Sequence, residues 1–134
     1  MSNETVVIVE DEIFLAMDME RILHDAGFRV AGIAADRSEA LAIGTAARLA
    51  FVDINLRDGP TGVEIARRLA DDHGVTVVYV TANPSQIDPR ARGSIGVVAK
   101  PFRDDTIVHA AEIALGRRSP AEVSPAEMTI FADA

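Results

Sequence analysis

The chain has 134 residues, a formal net charge of −8, and 49% hydrophobic against 25% charged residues, which suits one globular domain. It has no cysteine, which excludes disulfides, thiolate metal sites and cysteine nucleophiles. The acidity disfavours nucleic acid and anionic membrane surfaces as direct partners.

The N-terminal "MSNETVV" has no basic region before its short apolar run, so neither a signal peptide nor an anchor is expected there. No segment approaches the ~20 apolar residues needed to span a bilayer. A cytoplasmic location is the expectation.

Val6–Val9 is short, β-branched and unalternating, which predicts a strand buried on both faces. It ends abruptly in Glu10, Asp11 and Glu12. From Ile13 to Ala26 the period changes: Ile13, Met17, Met19, Ile22, Leu23 and Ala26 fall near helical spacing, and Gly27 is a natural stop. A second strand is expected over 29–34. Asp36 with Glu39 resembles a capping box opening a helix over 36–46.

"RLAFVD" (48–53) reads as a third strand. Thr61 and Glu64 form a second capping signature ahead of an amphipathic helix. "TVVYVT" (76–81) and "IGVVA" (95–99) are the fourth and fifth strands, and a last helix is expected over 103–115. Between the last two strands, "NPSQIDPRARG" (83–93) has two prolines and a glycine, so the helix there should be short or irregular. Residues 117–134 read as a tail, docked or disordered, within which "MTIF" is apolar enough to dock. Residues 1–116 form the domain.

Alternating strands and helices predict a parallel sheet covered on both faces. Ligands of such sheets bind outside the carboxyl ends of the strands. The polar residues closing the apolar runs are therefore the informative ones. They are Glu10 and Asp11, Asp53, Thr81, and Lys100.

Three converging carboxylates disfavour one another's ionised form, and a hard divalent cation removes the conflict. Asp11 and Asp53 can each supply an oxygen to Mg²⁺, with Glu10 acting through a water. With the charge neutralised by the metal and Lys100, Asp53 becomes a carboxylate nucleophile toward a phosphoryl group. Lys100 and Thr81 then suit two of the equatorial oxygens. Glu12 belongs to the first helical turn and is expected to face solvent.

"VVIVEDE", "FVDINL", "VVYVTA" and "VVAKPF" together resemble the four motifs of bacterial two-component response-regulator receiver domains, over about residues 4–116. The resemblance implies a flavodoxin-like (βα)5 sandwich with a parallel five-stranded sheet in the order 2-1-3-4-5. It implies that Asp53 is the phosphoacceptor, charged by a histidine kinase or phosphotransfer protein. Asp11 becomes a direct metal ligand and Asn55 lends its backbone carbonyl to Mg²⁺, with Mn²⁺ as an alternative ion. Thr81 is the switch hydroxyl, Lys100 binds the phosphoryl group, and the Lys100–Pro101 bond is cis. Asn55 and Asn83 occupy positions that tune the phosphoryl lifetime.

Two features depart from the family. Val97 stands where receiver domains commonly carry an aromatic, and the stretch from Thr81 to Lys100 is short. With no effector domain expected after it, the chain reads as a stand-alone receiver. It would signal by protein contacts, with room for a phosphorylation-dependent homodimer. Beyond self-phosphotransfer and slow dephosphorylation it is not expected to be an enzyme. A phosphorylation-independent interaction module is the alternative. A Mg²⁺-dependent aspartyl-phosphate hydrolase is a further one, disfavoured because the acid/base aspartate it needs is here Asn55.

The histidines carry no such pattern. His24, His73 and His109 lie on separate expected helices and make no metal site. "DGPTG" (58–62) lacks the lysine of a P-loop and reads as a turn.

Overall fold

The computed structural model describes residues 5–87, 94–122, 124 and 127–131. Its strands are β1 (Thr5–Val9), β2 (Arg29–Ala34), β3 (Leu49–Val52), β4 (Thr76–Thr81), β5 (Ser94–Ala99) and β6 (Thr129–Ile130). Its α-helices are α1 (Ile13–Asp25), α2 (Arg37–Ile43), α3 (Gly62–His73) and α4 (Asp104–Ala114). The sheet order is β2-β1-β3-β4-β5-β6. The first five strands are parallel, and β6 runs antiparallel to β5.

Alternate residues of each buried strand serve opposite faces, as the pleat requires. Val6, Ile8, Leu49, Phe51, Val78, Val80 and Val98 join one apolar cluster with Ala16, Met19 and Leu23 of α1 and Ile107 and Ala111 of α4. Val7, Val9, Ala50, Val52, Val77, Tyr79 and Val97 join the other, with Ala40 of α2 and Ile65, Ala66 and Leu69 of α3. The result is the expected three-layer, flavodoxin-like α/β sandwich.

Several expectations are corrected. The sheet has a sixth strand, because the outer edge of β5 would otherwise present unpaired backbone groups and the "MTIF" segment covers it. Met128 and Phe131 are 2% and 5% exposed, and burying such side chains contributes about 1.5–3 kcal/mol each. Among the described residues there are four α-helices rather than five. Where the fourth of five would stand, one 3-10 turn (Pro84–Gln86) is seen, and residues 88–93 of that predicted irregular segment lie outside the described residues.

Helix α2 is shorter than 36–46. Its cap forms as expected, with Asp36 accepting from the Glu39 N–H at 2.9 Å, while Glu39 returns a contact to the Ala35 N–H at 2.8 Å. Thr61 does not cap α3. Its hydroxyl donates to Asp58 at 2.7 Å, and Glu64 pairs with Arg37 at 3.2 Å. On α1 the buried face is Ala16, Met19, Ile22 and Leu23, whereas Ile13 and Met17 are exposed.

Candidate metal and phosphoryl site

The sheet register brings the predicted strand ends together. Val9 pairs with Val52, Val52 with Tyr79, and Thr81 with Ala99. The ladder then continues one step into the site residues themselves. Glu10 N–H donates to Ala34 O at 2.8 Å, Asp53 N–H to Val9 O at 2.9 Å, and Lys100 N–H to Thr81 O at 2.9 Å. Each functional side chain therefore starts from a pinned backbone atom. The Lys100–Pro101 peptide is cis.

Glu10, Asp11 and Asp53 each offer a carboxylate oxygen, and these oxygens all lie within 4.8 Å of one another. Glu10 and Asp53 are buried and Asp11 is exposed. Two anchored acids with one reachable from solvent fit a hard cation that keeps several waters. The donor set is all oxygen, as Mg²⁺ prefers.

The Lys100 ammonium reaches the same cluster. Its Nζ lies 2.7 Å from Glu10 Oε1, 2.9 Å from Asp53 Oδ2 and 3.1 Å from Glu12 Oε2. The bonds to Asp53 and Glu12 are directional hydrogen bonds. The Glu10 contact is an ion pair by distance only, since Oε1 lacks hydrogen-bond geometry. Glu10 Oε2 instead accepts from the Glu12 N–H at 3.1 Å.

Burial pushes the Glu10 carboxyl up to about 7, against the opposing pull of Lys100 and the Glu12 N–H. Burial also opposes the Lys100 charge, but its close contacts with the Glu10 and Asp53 carboxylates outweigh it and hold the ammonium above its ordinary range. The crevice thus sets one cation against four acids, of which Glu10 and Asp53 are buried and Asp11 and Glu12 exposed.

Thr81 is fully buried at the end of β4, and its Oγ1 accepts from the Asn83 N–H at 3.1 Å. Asn55 is exposed two residues after Asp53, and its side-chain amide donates to Gln86 Oε1 at 3.2 Å. All the predicted site residues sit at this one end of the sheet.

Sequence reasoning missed two contributors. Glu12 was expected to face solvent only. Its side chain is 66% exposed, yet its carboxylate reaches Lys100. Gly62 is the second. A Cβ there would lie 2.0 Å from Asp53 O and 2.5 Å from Ile54 Cα. The first residue of α3 therefore packs directly on the backbone of Asp53, which only glycine permits. The second glycine of "DGPTG" was the available signal.

The response regulator receiver domain family matches residues 6–112. The chain belongs to that family, the signalling receivers of two-component systems, in which Mg²⁺ binding and phosphorylation are typical and the partners are histidine kinases or phosphotransfer proteins. It is 33% identical over 102 residues to the phyllosphere-induced regulator PhyR of Methylorubrum extorquens, a match covering 73% of this chain and 38% of that protein. The chain therefore spans well under half the length of that relative.

Among solved structures, the PhyR receiver domain of Erythrobacter litoralis superposes with a TM-score of 0.75 at 28% identity, covering 87% of this chain and 92% of that one. A CheY-like receiver protein from Methanospirillum hungatei does so with a TM-score of 0.75 at 25% identity, covering 86% and 95%. Among the described residues no helix is long and apolar enough to cross a membrane.

Proposed function

We propose that this receiver accepts a phosphoryl group on Asp53 in a Mg²⁺-dependent reaction and signals through protein contacts. The observation that carries the reading is the three-carboxylate cluster with the Lys100 ammonium 2.9 Å from Asp53. In the transfer, an Asp53 carboxylate oxygen forms the new P–O bond and the P–N bond of a donor phosphohistidine breaks. The electron pair returns to the imidazole nitrogen, which takes up a proton. Asp11 and Asp53, the Asn55 backbone carbonyl, and Glu10 through a water would hold the Mg²⁺, which supplies charge neutralisation at the phosphoryl oxygens.

Lys100 is already placed against Asp53 and needs only a short move to meet a phosphoryl oxygen. The Thr81 hydroxyl serves another. Slow hydrolysis of the phosphoaspartate, tuned at Asn55 and Asn83, returns the resting state, and no other enzymatic activity is assigned. Beside the crevice, Phe14 is 84% exposed, with Ile13 and Met17 exposed near it at the start of α1. That patch supports docking of a protein phosphodonor, a kinase or phosphotransfer protein. In this reading residues 1–116 are the receiver, 117–134 an appended tail, and the setting is the cytoplasm. A phosphorylation-dependent homodimer is compatible with it.

Incubation with acetyl phosphate and Mg²⁺, followed by intact mass, tests the proposal. One added phosphoryl group is expected, absent when the metal is chelated beforehand and absent in Asp53→Asn. Unchanged phosphorylation of Asp53→Asn would overturn the assignment. A protein that never gains the group would favour an interaction module that works without phosphorylation.

A further inference from the structure

Strand β5 carries two things at once. At its end it delivers Lys100 into the crevice, and along its outer edge it holds the tail. Gly96 pairs with Ile130 and Val97 with Thr129, and the Phe131 N–H donates to Ile95 O at 2.9 Å. Met128 enters the cluster shared with α1 and α4, while Phe131 enters the one containing Val97, Tyr79 and Ile87. The tail thus grips both faces of the sheet edge. Glu127 adds a contact to His109 of α4 at 3.2 Å.

The fit is close. A Cβ on Gly96 would lie 2.3 Å from Thr129 O, 3.0 Å from Met128 Cε and 3.3 Å from Ile130 Cα. This edge accommodates a strand only because residue 96 has no side chain. Contact this tight matches a single placement of β5. If β5 shifts toward the tail it collides with Thr129, and if it shifts away the Phe131–Ile95 hydrogen bond stretches.

We propose that the tail, residues 127–131, is a built-in ligand of the β5 edge, thermodynamically linked through β5 to the acidic crevice, so that a phosphoryl group on Asp53 weakens its docking. The linkage rests on the phosphoryl-acceptor reading above. The tail docks on the β5 placement in which Lys100 pairs with Glu10, Glu12 and Asp53. Added anionic oxygens beyond Asp53 draw the ammonium away from Glu10 and Glu12, and the end of β5 loses the ion pairs that hold it in that placement. Because the coupling is reciprocal, a chain with its tail undocked binds the phosphoryl mimic more tightly by the same factor.

Hydrogen exchange on the full chain tests this, with Mg²⁺ alone and with Mg²⁺ plus beryllofluoride, while fluorine NMR reports whether the mimic is bound. With the mimic bound, exchange of the Phe131 amide should rise about fivefold or more, with the β1 amides unchanged. Phe131→Ala should raise beryllofluoride affinity by a matching factor. So should Gly96→Ala, which undocks the tail from the opposite side and guards against misfolding of the first variant. Bound mimic with unchanged Phe131 exchange overturns the linkage alone. No bound mimic in the wild-type chain overturns the acceptor reading, and the linkage with it.

Discussion

Lys100 Nζ stands between two buried carboxylates, 2.7 Å from Glu10 Oε1 and 2.9 Å from Asp53 Oδ2. Without the ammonium, both acids face each other in a site with little water. Replacing Lys100 by Met should therefore destabilise the metal-free protein by about 3 kcal/mol, the scale for removing one partner of a buried pair. Denaturant unfolding measures the loss, and Mg²⁺ should recover part of it by supplying the missing positive charge.

Metal binding should itself be visible in stability. A cation that binds only the folded chain adds about 2.7 kcal/mol when present at a hundred times its dissociation constant. Thermal melts with and without Mg²⁺ should show the gain. Asp11→Ala should remove most of it, since Asp11 is the solvent-reachable acid of the cluster. The metal-free melt of that variant should not fall, because an exposed carboxylate contributes little to packing and its removal relieves repulsion with Glu10 and Asp53.

Gly62→Ala forces a methyl group to within 2.0 Å of Asp53 O unless the backbone gives way. Overpacking of this kind costs about 1–3 kcal/mol, and here the strain falls on the residue that bears the acceptor carboxylate. The variant should lose stability and bind Mg²⁺ more weakly. Calorimetric titration at a temperature where it remains folded separates the two effects.

Tyr79 is the only tyrosine in the chain and is fully buried. Its hydroxyl has no hydrogen-bond partner among the described residues. Burial pushes the phenol up to about 12 from its ordinary 10. The group is neutral in both states below pH 10, so its contribution to stability is complete there. As pH rises from about 10 through about 12 the unfolded chain sheds the proton first, and stability falls. Tyrosinate absorbance should therefore appear together with unfolding in an alkaline titration. A smooth rise centred near pH 10 in the still-folded protein would contradict the burial.

Much of the fold was legible because strand and helix periods differ and the parallel strands are continuous apolar runs. The polar residues closing those runs, Glu10, Asp11, Asp53, Thr81 and Lys100, stood out for the same reason. A buried strand has no other use for them, and a parallel sheet gathers its carboxyl ends on one side. Glu12 was read only as a helix start, since its contact to Lys100 joins residues far apart in the chain. The Thr61 cap failed because Thr61 takes helical backbone angles (φ −87°, ψ −7°) rather than the extended ones of a capping residue, while its hydroxyl donates to Asp58, a choice the Thr-x-x-Glu spacing does not record.

The sequence by itself therefore determined the α/β class, the strand order through family resemblance, and the list of groups at the crevice. Those follow from local periodicity and from which residues interrupt it. Only the tertiary structure decided that Lys100 bridges Glu10 and Asp53, that Gly62 packs on the Asp53 backbone, and that "MTIF" adds a strand at Gly96. Each depends on distances between segments remote in sequence. A two-residue strand has too little pattern of its own to announce its partner, and its position is set by the edge that β5 leaves open.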